Sequence, residues 1–180
     1  MKIIRYPNHK LRELCQPVTA FDDSLRTLVA DMTETMRAAD GIGLAAIQVG
    51  VPLQLFILDE AAIGPCQTAA CRDVCAGHAT GGTRVRVFIN PEIIEQSPRR
   101  QVDDEGCLSF PTIFVPVARH TLVRVRALNS DGAPFEIEAY DFYARAIQHE
   151  RDHLVGKLLI DGVGAVKRDI ILRKLAKPRK

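Results

Sequence analysis

The spacing of apolar residues changes along this chain, and each spacing predicts a different element. Between residues 22 and 39, apolar side chains recur every three or four positions, which places them on one face of a helix. Asp22, Asp23 and Ser24 at the start of this segment are the capping candidates, and Gly41 follows it as a stop signal. The pattern therefore predicts an amphipathic helix near the N-terminus.

A period of two, found in the segments VRVRA and FEIEA, predicts a β-hairpin after residue 119. Cross-strand partners point to the same face of a sheet, so Val125 should lie opposite Ile137 and Arg126 opposite Glu136. That register requires a three-residue loop, in which Gly132 takes the left-handed conformation. One face of the hairpin is then apolar, and the other carries opposite charges.

Two short apolar segments, residues 53–58 and 85–89, predict further strands. Between them, from about residue 60 to residue 83, the sequence is rich in Ala, Gly and Cys and predicts a long inserted loop.

Two more helices are predicted after the hairpin. The first starts with Asp141 as its cap and runs to about residue 155, where Gly156 ends it. The second covers about residues 166–176. Together these elements predict an α+β fold, in which small antiparallel or mixed β-sheets pack around a central helix that contains residues 149–153. The N-terminal amphipathic helix and the C-terminal helix complete it.

Composition indicates a single globular domain, residues 1–180, with 47% apolar and 26% charged residues. The net charge of +2 favours no class of partner, although residues 167–180 contain seven basic side chains and one acid. No apolar segment approaches the ~18 residues of a membrane span, and the first residues do not resemble a secretory signal. We therefore expect a cytoplasmic protein with no membrane partner, whose five cysteines are thiols or ligands.

The most informative motif is H-E-x-x-H, formed by His149, Glu150 and His153. Residues four apart share a helix face, so both histidines can bind one metal ion while Glu150 lies beside it. The alternative is a pair of histidines on a charged, solvated helix. Because apolar residues surround the motif and Gly156 ends the helix promptly, the metal site is the favoured hypothesis.

A catalytic metal also needs a third protein ligand and an open position. Cys107, in the segment EGCLS, is the natural third donor, although a free cysteine is often only a small buried apolar residue. Gly106 would let the backbone approach a ligand closely, and Leu108 would offer a backbone N–H toward the site.

A third segment, GIGLAAIQ, ends at Gln48. Its glycines either end the preceding helix or leave a backbone edge against which an extended peptide can pair. Gln48 is either an ordinary solvated glutamine or the polar residue that contacts the substrate.

The segments GIGLAAIQ, EGCLS and QHERDHLVG, in this order, closely resemble the three motifs of the peptide deformylases. In that family the motifs read G-x-G-L-A-A-x-Q, E-G-C-L-S and Q-H-E-x-D-H-L-x-G. The resemblance extends over nearly the whole chain, from IIRYP near its start through INPEI and the hairpin to the last helix.

The resemblance implies that Cys107, His149 and His153 bind one metal ion, with a water in the fourth position. The ion is typically Fe(II), with zinc, nickel or cobalt as alternatives, because thiolate and imidazole ligands suit several of these ions. Glu150 would take a proton during attack and deliver it to the leaving amine. The substrate would be a nascent chain that begins with N-formyl-methionine, and the products would be formate and a free methionine N-terminus.

The resemblance also implies how the substrate is held. The Gln48 side-chain amide and the Leu108 backbone N–H would stabilise the oxyanion. Glu105 and Arg119 would orient the metal ligands, unless they form an exposed surface pair. Phe142 either lines the methionine pocket or packs in the core. The candidates for that pocket are His149, Ile42, Gly43, Phe142 and Ala146.

Two positions depart from the family pattern. Phe114 stands where some members carry an arginine near the substrate, and Arg145 occupies a position that is often apolar, at the predicted rim of the pocket. The insertion at about residues 60–83 is unfamiliar in this family as well. The irregular spacing of its Cys and His residues favours free thiols over a second metal site or a disulfide. The residues concerned are Cys66, Cys71, Cys75 and His78.

Two other functions are compatible with parts of this sequence. An H-E-x-x-H endopeptidase is disfavoured, because Cys107 would be an unusual ligand there and Gln48 would have no role. A non-catalytic peptide-binding module is disfavoured, because every predicted ligand, acid and base is present.

The basic C-terminal helix is either a solvated face or a docking surface for polyanionic ribosomal RNA. The sequence favours no particular oligomeric state.

Overall fold

The strands form two antiparallel sheets in the computed structural model, which describes residues 1–63 and 85–176. The larger sheet has five strands in the order β1-β2-β3-β6-β7, and the smaller sheet pairs β4 with β5 and is called the ribbon below. The strands are β1 (Gly43–Ala45), β2 (Leu55–Asp59), β3 (Val85–Gln96), β4 (Arg100–Cys107), β5 (Phe110–His120), β6 (Leu122–Leu128) and β7 (Pro134–Tyr140).

Four α-helices accompany these strands within the described residues, and the predicted α+β fold is confirmed. Two short 3₁₀ helices, His9–Arg12 and Ala46–Val49, lie near the N-terminus and directly after β1. Among the described residues, no helix is both long and apolar enough to cross a membrane. The α-helices are α1 (Asp23–Ala38), α2 (Glu60–Ile63), α3 (Asp141–Leu154) and α4 (Ala165–Ala176).

Strand β2, which is buried along its whole length, lies between α1 and α3. Side chains of β2 alternate between its two faces, so Phe56 joins the apolar cluster that contains Ile147 of α3, whereas Leu55 joins the cluster that contains Met32 of α1. Helix α3 also contacts β5 of the ribbon. It therefore lies where the five-stranded sheet and the ribbon meet.

The predicted hairpin register is confirmed. Val125 pairs with Ile137 and Arg126 pairs with Glu136, whose side chains form an ion pair of 2.8 Å. Gly132 has φ of +80°, as the three-residue loop requires. Strand β3 runs past the predicted residue 89, because it pairs with β6 through two register shifts that hide its continuation in the sequence pattern.

The helix boundaries are mostly as predicted, with one correction. The Asp22 carboxylate accepts hydrogen bonds from the backbone N–H groups of Ser24 and Leu25 and caps α1. Asp141 does not cap α3: it is the first helical residue, with φ of +47°, and Tyr140 holds the cap position, where its side chain makes no capping hydrogen bond. Tyr140 is also the last residue of β7, so the strand leads directly into the helix.

The predicted loop from residue 60 begins instead as the helical turn α2. The remainder of that insertion, which contains Cys66, Cys71, Cys75 and His78, lies outside the described residues, as do residues 177–180.

Candidate active site

The structure brings Cys107, His149 and His153 together. Cys107 is the last residue of β4, and the two histidines lie one turn apart on α3. The Cys107 sulfur is 3.4 Å from Nε2 of His153, and the three potential ligand atoms lie within 4.8 Å of one another. A sulfur and two imidazole nitrogens at this spacing suit a divalent transition metal.

The charges of this group favour a thiolate at Cys107. Burial raises the pKa of the Cys107 thiol, but the neighbouring His153 and His149 outweigh burial and hold that pKa well below its usual range. Burial lowers the pKa of His149, but Cys107 and Glu105 outweigh it and raise that pKa well above its usual range. A thiolate is therefore available as a ligand, which is the form that metals bind.

Glu150 lies beside the ligands as a buried acid. Its Oε2 atom has no hydrogen-bond partner among the described residues. Burial raises the pKa of Glu150, although the charges of His149 and His153 act in the opposite direction. A carboxyl group with a raised pKa and a free oxygen has the properties of a general base and acid.

Gly43, which the sequence placed in the substrate pocket, makes room for Glu150. A Cβ atom at Gly43 would lie 2.5 Å from Oε1 of Glu150 and 2.7 Å from Cδ2 of Leu58. A side chain at this position would displace the Glu150 carboxylate or the Leu58 side chain of β2.

Gln48 is not a solvated glutamine, since only 1% of its surface is exposed. Its Oε1 accepts a bond of 2.8 Å from the Ala45 backbone N–H, and its Nε2 donates a bond of 3.1 Å to Oγ of Ser109. Nε2 also lies 3.5 Å from the Cys107 sulfur. The side-chain amide is thus held at the ligand group. Sequence reasoning assigned no role to Ser109, although it is the last residue of the EGCLS motif.

The other predicted site residues lie at different depths. Leu108 follows Cys107 in the turn between the strands of the ribbon, and its side chain fills the space that a Cβ atom at Gly41 would need. Ile42 is half-buried and Ala146 is buried. Phe142 is 51% exposed, so the interpretation that it packs in the core is wrong.

Glu105 receives four hydrogen bonds. Its Oε1 accepts from Nε of Arg119 and Nη1 of Arg145, both at 2.8 Å, and its Oε2 accepts from Nη2 of Arg119 at 3.0 Å. The fourth partner is Nδ1 of His149, at 2.9 Å. Burial raises the pKa of Glu105, but His149 and Arg119 outweigh it and lower that pKa to about 2.

This network bears on two predictions. Glu105 is only 5% exposed and contacts a candidate ligand, so the alternative of an exposed surface pair is wrong. Arg145, which the sequence placed at the rim of the pocket, is 6% exposed and bonds to Glu105. Phe114, in contrast, is largely exposed, and its ring fills the space that a side chain at Gly106 would need.

Comparison with known proteins identifies the family. The sequence model of the family Polypeptide deformylase matches residues 1–169. The peptide deformylase of Novosphingobium aromaticivorans is 44% identical over 184 residues, which cover 99% of this chain and 97% of that protein. Peptide deformylase 1 of Ralstonia nicotianae is 44% identical over 177 residues, which cover 98% and 94% of the two chains.

A solved structure agrees with the sequence comparisons. The crystal structure of a peptide deformylase from Legionella pneumophila superposes with a TM-score of 0.83 at 36% identity and covers 98% of each chain. The sequence match and the shared fold both extend over nearly the whole length. The chain therefore belongs to the polypeptide deformylase family, the metal-dependent hydrolases that remove the N-formyl group from newly made polypeptides.

Proposed function

We propose that Cys107, His149 and His153 hold the single catalytic metal ion, and that this ion is Fe(II), with zinc, nickel or cobalt as substitutes. The observation that carries this assignment is the convergence of one sulfur and two imidazoles within 4.8 Å. A bound divalent metal supplies Lewis-acid chemistry, since it polarises a carbonyl group and lowers the pKa of water.

Glu150 acts as the general base and then as the general acid in this proposal. Its free oxygen accepts the proton of the attacking water and later donates it to the amine that leaves the formyl group. Burial supports this role, because a raised pKa brings the carboxyl group closer to the pH at which it must both accept and donate a proton.

Gln48 and Leu108 stabilise the negative charge that develops on the formyl oxygen. The Gln48 amide is already fixed by Ala45 and Ser109, so little reorganisation is needed when the charge appears. The Leu108 backbone N–H lies one residue beyond Cys107 and provides the second donor.

The substrate is the N-formyl-methionyl end of a nascent polypeptide. Strand β1 is an edge of the five-stranded sheet, so an extended peptide can add to it by backbone hydrogen bonds. The methionine side chain lies against a surface that the half-buried Ile42 and the buried Ala146 provide, with the exposed Phe142 at its margin. We place the reaction in the cytoplasm and assign residues 1–180 to one catalytic domain with an insertion at about residues 60–83.

The test compares three purified proteins under anaerobic conditions: the unaltered chain, Glu150→Gln and Glu136→Gln. The last is a matched control, because Glu136 lies on the exposed face of the hairpin. Metal content and formate release from formyl-Met-Ala-Ser are measured on the same samples. Glu150→Gln should keep one metal ion per chain and lose about 10²–10⁴-fold in turnover. The control should match the unaltered chain.

Other outcomes would reject parts of the proposal. Near-normal turnover of Glu150→Gln would exclude Glu150 as the base. Cleavage of internal peptide bonds without formate would favour the endopeptidase. A fully metal-loaded chain that releases no formate would favour a binding module.

We further propose that α4 docks on the ribosome, where nascent chains emerge. Ile171 anchors this helix in the core, whereas four basic side chains on it are exposed. Replacing those four by glutamine should weaken co-sedimentation with ribosomes and reduce its salt dependence. The same change at Arg124 and Arg126 of the hairpin is the control, and unaltered co-sedimentation would exclude this docking. The four side chains are Lys167, Arg168, Arg173 and Lys174.

A further inference from the structure

Helix α3 carries a polar stripe that faces the ribbon. Arg145, Gln148, His149 and Asp152 follow the spacing i, i+3, i+4, i+7, which places them on one face of the helix. Each of them binds a residue of the ribbon. Gln148 exchanges hydrogen bonds with the backbone N–H and C=O of His120, and the other three bind ribbon side chains.

Arg145 has the most extensive contacts of this stripe. Its Nη1 donates to Oε1 of Glu105 and to the backbone oxygen of Val117, both at 2.8 Å. Its Nη2 donates to the backbone oxygen of Gln101 at 2.8 Å and to Oδ2 of Asp103 at 3.2 Å. Val117 belongs to β5, whereas the other three partners belong to β4. One guanidinium therefore joins both strands of the ribbon to α3.

This connection matters because the candidate metal ligands are divided between the same two elements. Cys107 lies at the end of β4, whereas His149 and His153 lie on α3. The bonds from Arg119 to Glu105 stay within the ribbon, and Arg119 reaches α3 through one bond to Asp152, one turn after the first candidate ligand. Arg145 lies one turn before His149, so its bonds to the ribbon act close to the ligand group.

We propose that Arg145 is a positioning residue, which sets the separation between the Cys107 thiolate and the two imidazoles and holds Glu105 against Nδ1 of His149. This inference rests on the metal-ligand role proposed above for Cys107, His149 and His153. Partners of metal ligands act in this way when they fix the orientation of a ligating imidazole. The Arg145 guanidinium has no hydrogen bond to Cys107, His149 or His153, so it acts on them through Glu105 and the ribbon backbone.

The shape of the side chain explains why an arginine is required. A guanidinium presents several N–H groups in a rigid plane and can reach four acceptors that lie around it. A lysine ammonium is a compact charge, so Arg145→Lys keeps the charge but loses some of these bonds. Arg145→Met keeps similar length and loses all of them. The two variants therefore separate charge from geometry.

The experiment measures metal affinity of the full chain by competition with a chromophoric chelator, using Co(II) and Zn(II). Arg145→Met should bind both metals about 10-fold more weakly, the lower end of the loss seen for direct partners of metal ligands, because Arg145 acts on His149 through Glu105. Arg145→Lys should give an intermediate loss. The control is Arg126→Met, which removes an exposed arginine of the hairpin and should change affinity less than twofold.

A spectroscopic readout separates positioning from general stability. At saturating Co(II), the thiolate-to-cobalt charge-transfer band should be weaker or shifted in Arg145→Met, because the sulfur and the imidazoles no longer meet at the same separation. A purely structural role would lower the melting temperature of the metal-free protein and leave affinity and spectrum unchanged. That result would overturn the proposal.

Arg145→Lys decides the question if Arg145→Met does not fold. Unaltered affinity and spectrum in the lysine variant overturn the proposal, and a weakened affinity supports it. The readouts do not depend on turnover. Failure of the proposed function would show in the unaltered chain, as metal loading without formate release, whatever the Arg145 variants do.

Discussion

Replacing Gly43 by alanine tests whether the position of Glu150 controls the reaction. The added Cβ would lie 2.5 Å from Oε1 and 3.0 Å from Cδ of Glu150, whereas ordinary van der Waals contacts begin at 3.4 Å. Gly43 has no positive φ, so alanine is compatible with its backbone. Leu58 Cδ2, at 2.7 Å, belongs to a fully buried side chain and limits how far Cβ can retreat.

The size of the expected rate loss follows from how far the Glu150 carboxylate is displaced. Restoring ordinary contact requires the Glu150 carboxylate to move by about 1 Å, and a misplacement of that size in a catalytic group costs about 100-fold in rate. This corresponds to roughly 3 kcal/mol in the activation free energy. Overpacking should also lower the free energy of unfolding by about 1–3 kcal/mol. Metal binding should persist, because the short contacts of this Cβ involve no metal ligand.

The assay compares kcat for formate release, metal content and urea unfolding of Gly43→Ala with those of Gly162→Ala. Gly162 is the matched control, because a Cβ at that position would meet no atom within 4 Å. We expect a large loss of kcat at full metal occupancy in Gly43→Ala and no change in the control. A kcat within threefold of the unaltered chain would refute the reasoning.

Two further predictions concern the groups around the ligands. Gln48→Ala should lose about 10²–10³-fold in kcat, and near-full activity of this variant would exclude the oxyanion role of Gln48. Ser109→Ala should lose less kcat, because the Ala45 N–H still holds the Gln48 side chain. Glu105→Gln tests pH dependence through urea unfolding of the metal-free chain. The Glu105 pKa is lowered from 4.5 to about 2, so its contribution of roughly 3 kcal/mol is present above pH 4.5 and lost as pH falls toward 2. The variant should be less stable at neutral pH and should show a flatter decline below pH 4.5, and an unaltered profile would contradict this.

The elements that the sequence predicts best are those whose determinants are local. The hairpin register follows from two alternating segments and a loop glycine, and Val125 pairs with Ile137 as expected. The candidate ligands were found because H-E-x-x-H combines helix periodicity with metal chemistry. Cys107 is remote in sequence, and two arguments connect it with the histidines: a catalytic metal needs a third ligand, and the three motifs occur in the order found in the family.

The features that the sequence did not reveal depend on contacts between distant elements. Aspartate is a residue type that often caps helices, but Asp141 does not do so here. Its backbone N–H donates to the Thr121 backbone oxygen, and strand β7 leads straight into α3. The stripe that includes Arg145 and Asp152 was visible as a helical spacing of polar residues, but its partner surface was not. The exposure of Phe142 could not be predicted for the same reason, since periodicity alone does not show whether another element covers a side chain.

The two faces of α3 fix its position by different physical means. The apolar face packs on the five-stranded sheet through residues such as Ile147, where many side-chain combinations of suitable volume would serve. The polar face contains a buried ionic group, and apolar residues of similar size would often give equal or greater stability in such a place. Stability alone therefore does not explain Arg145 and Glu105. What apolar side chains cannot provide is a directed hydrogen bond to Nδ1 of His149, and that is the bond this network makes.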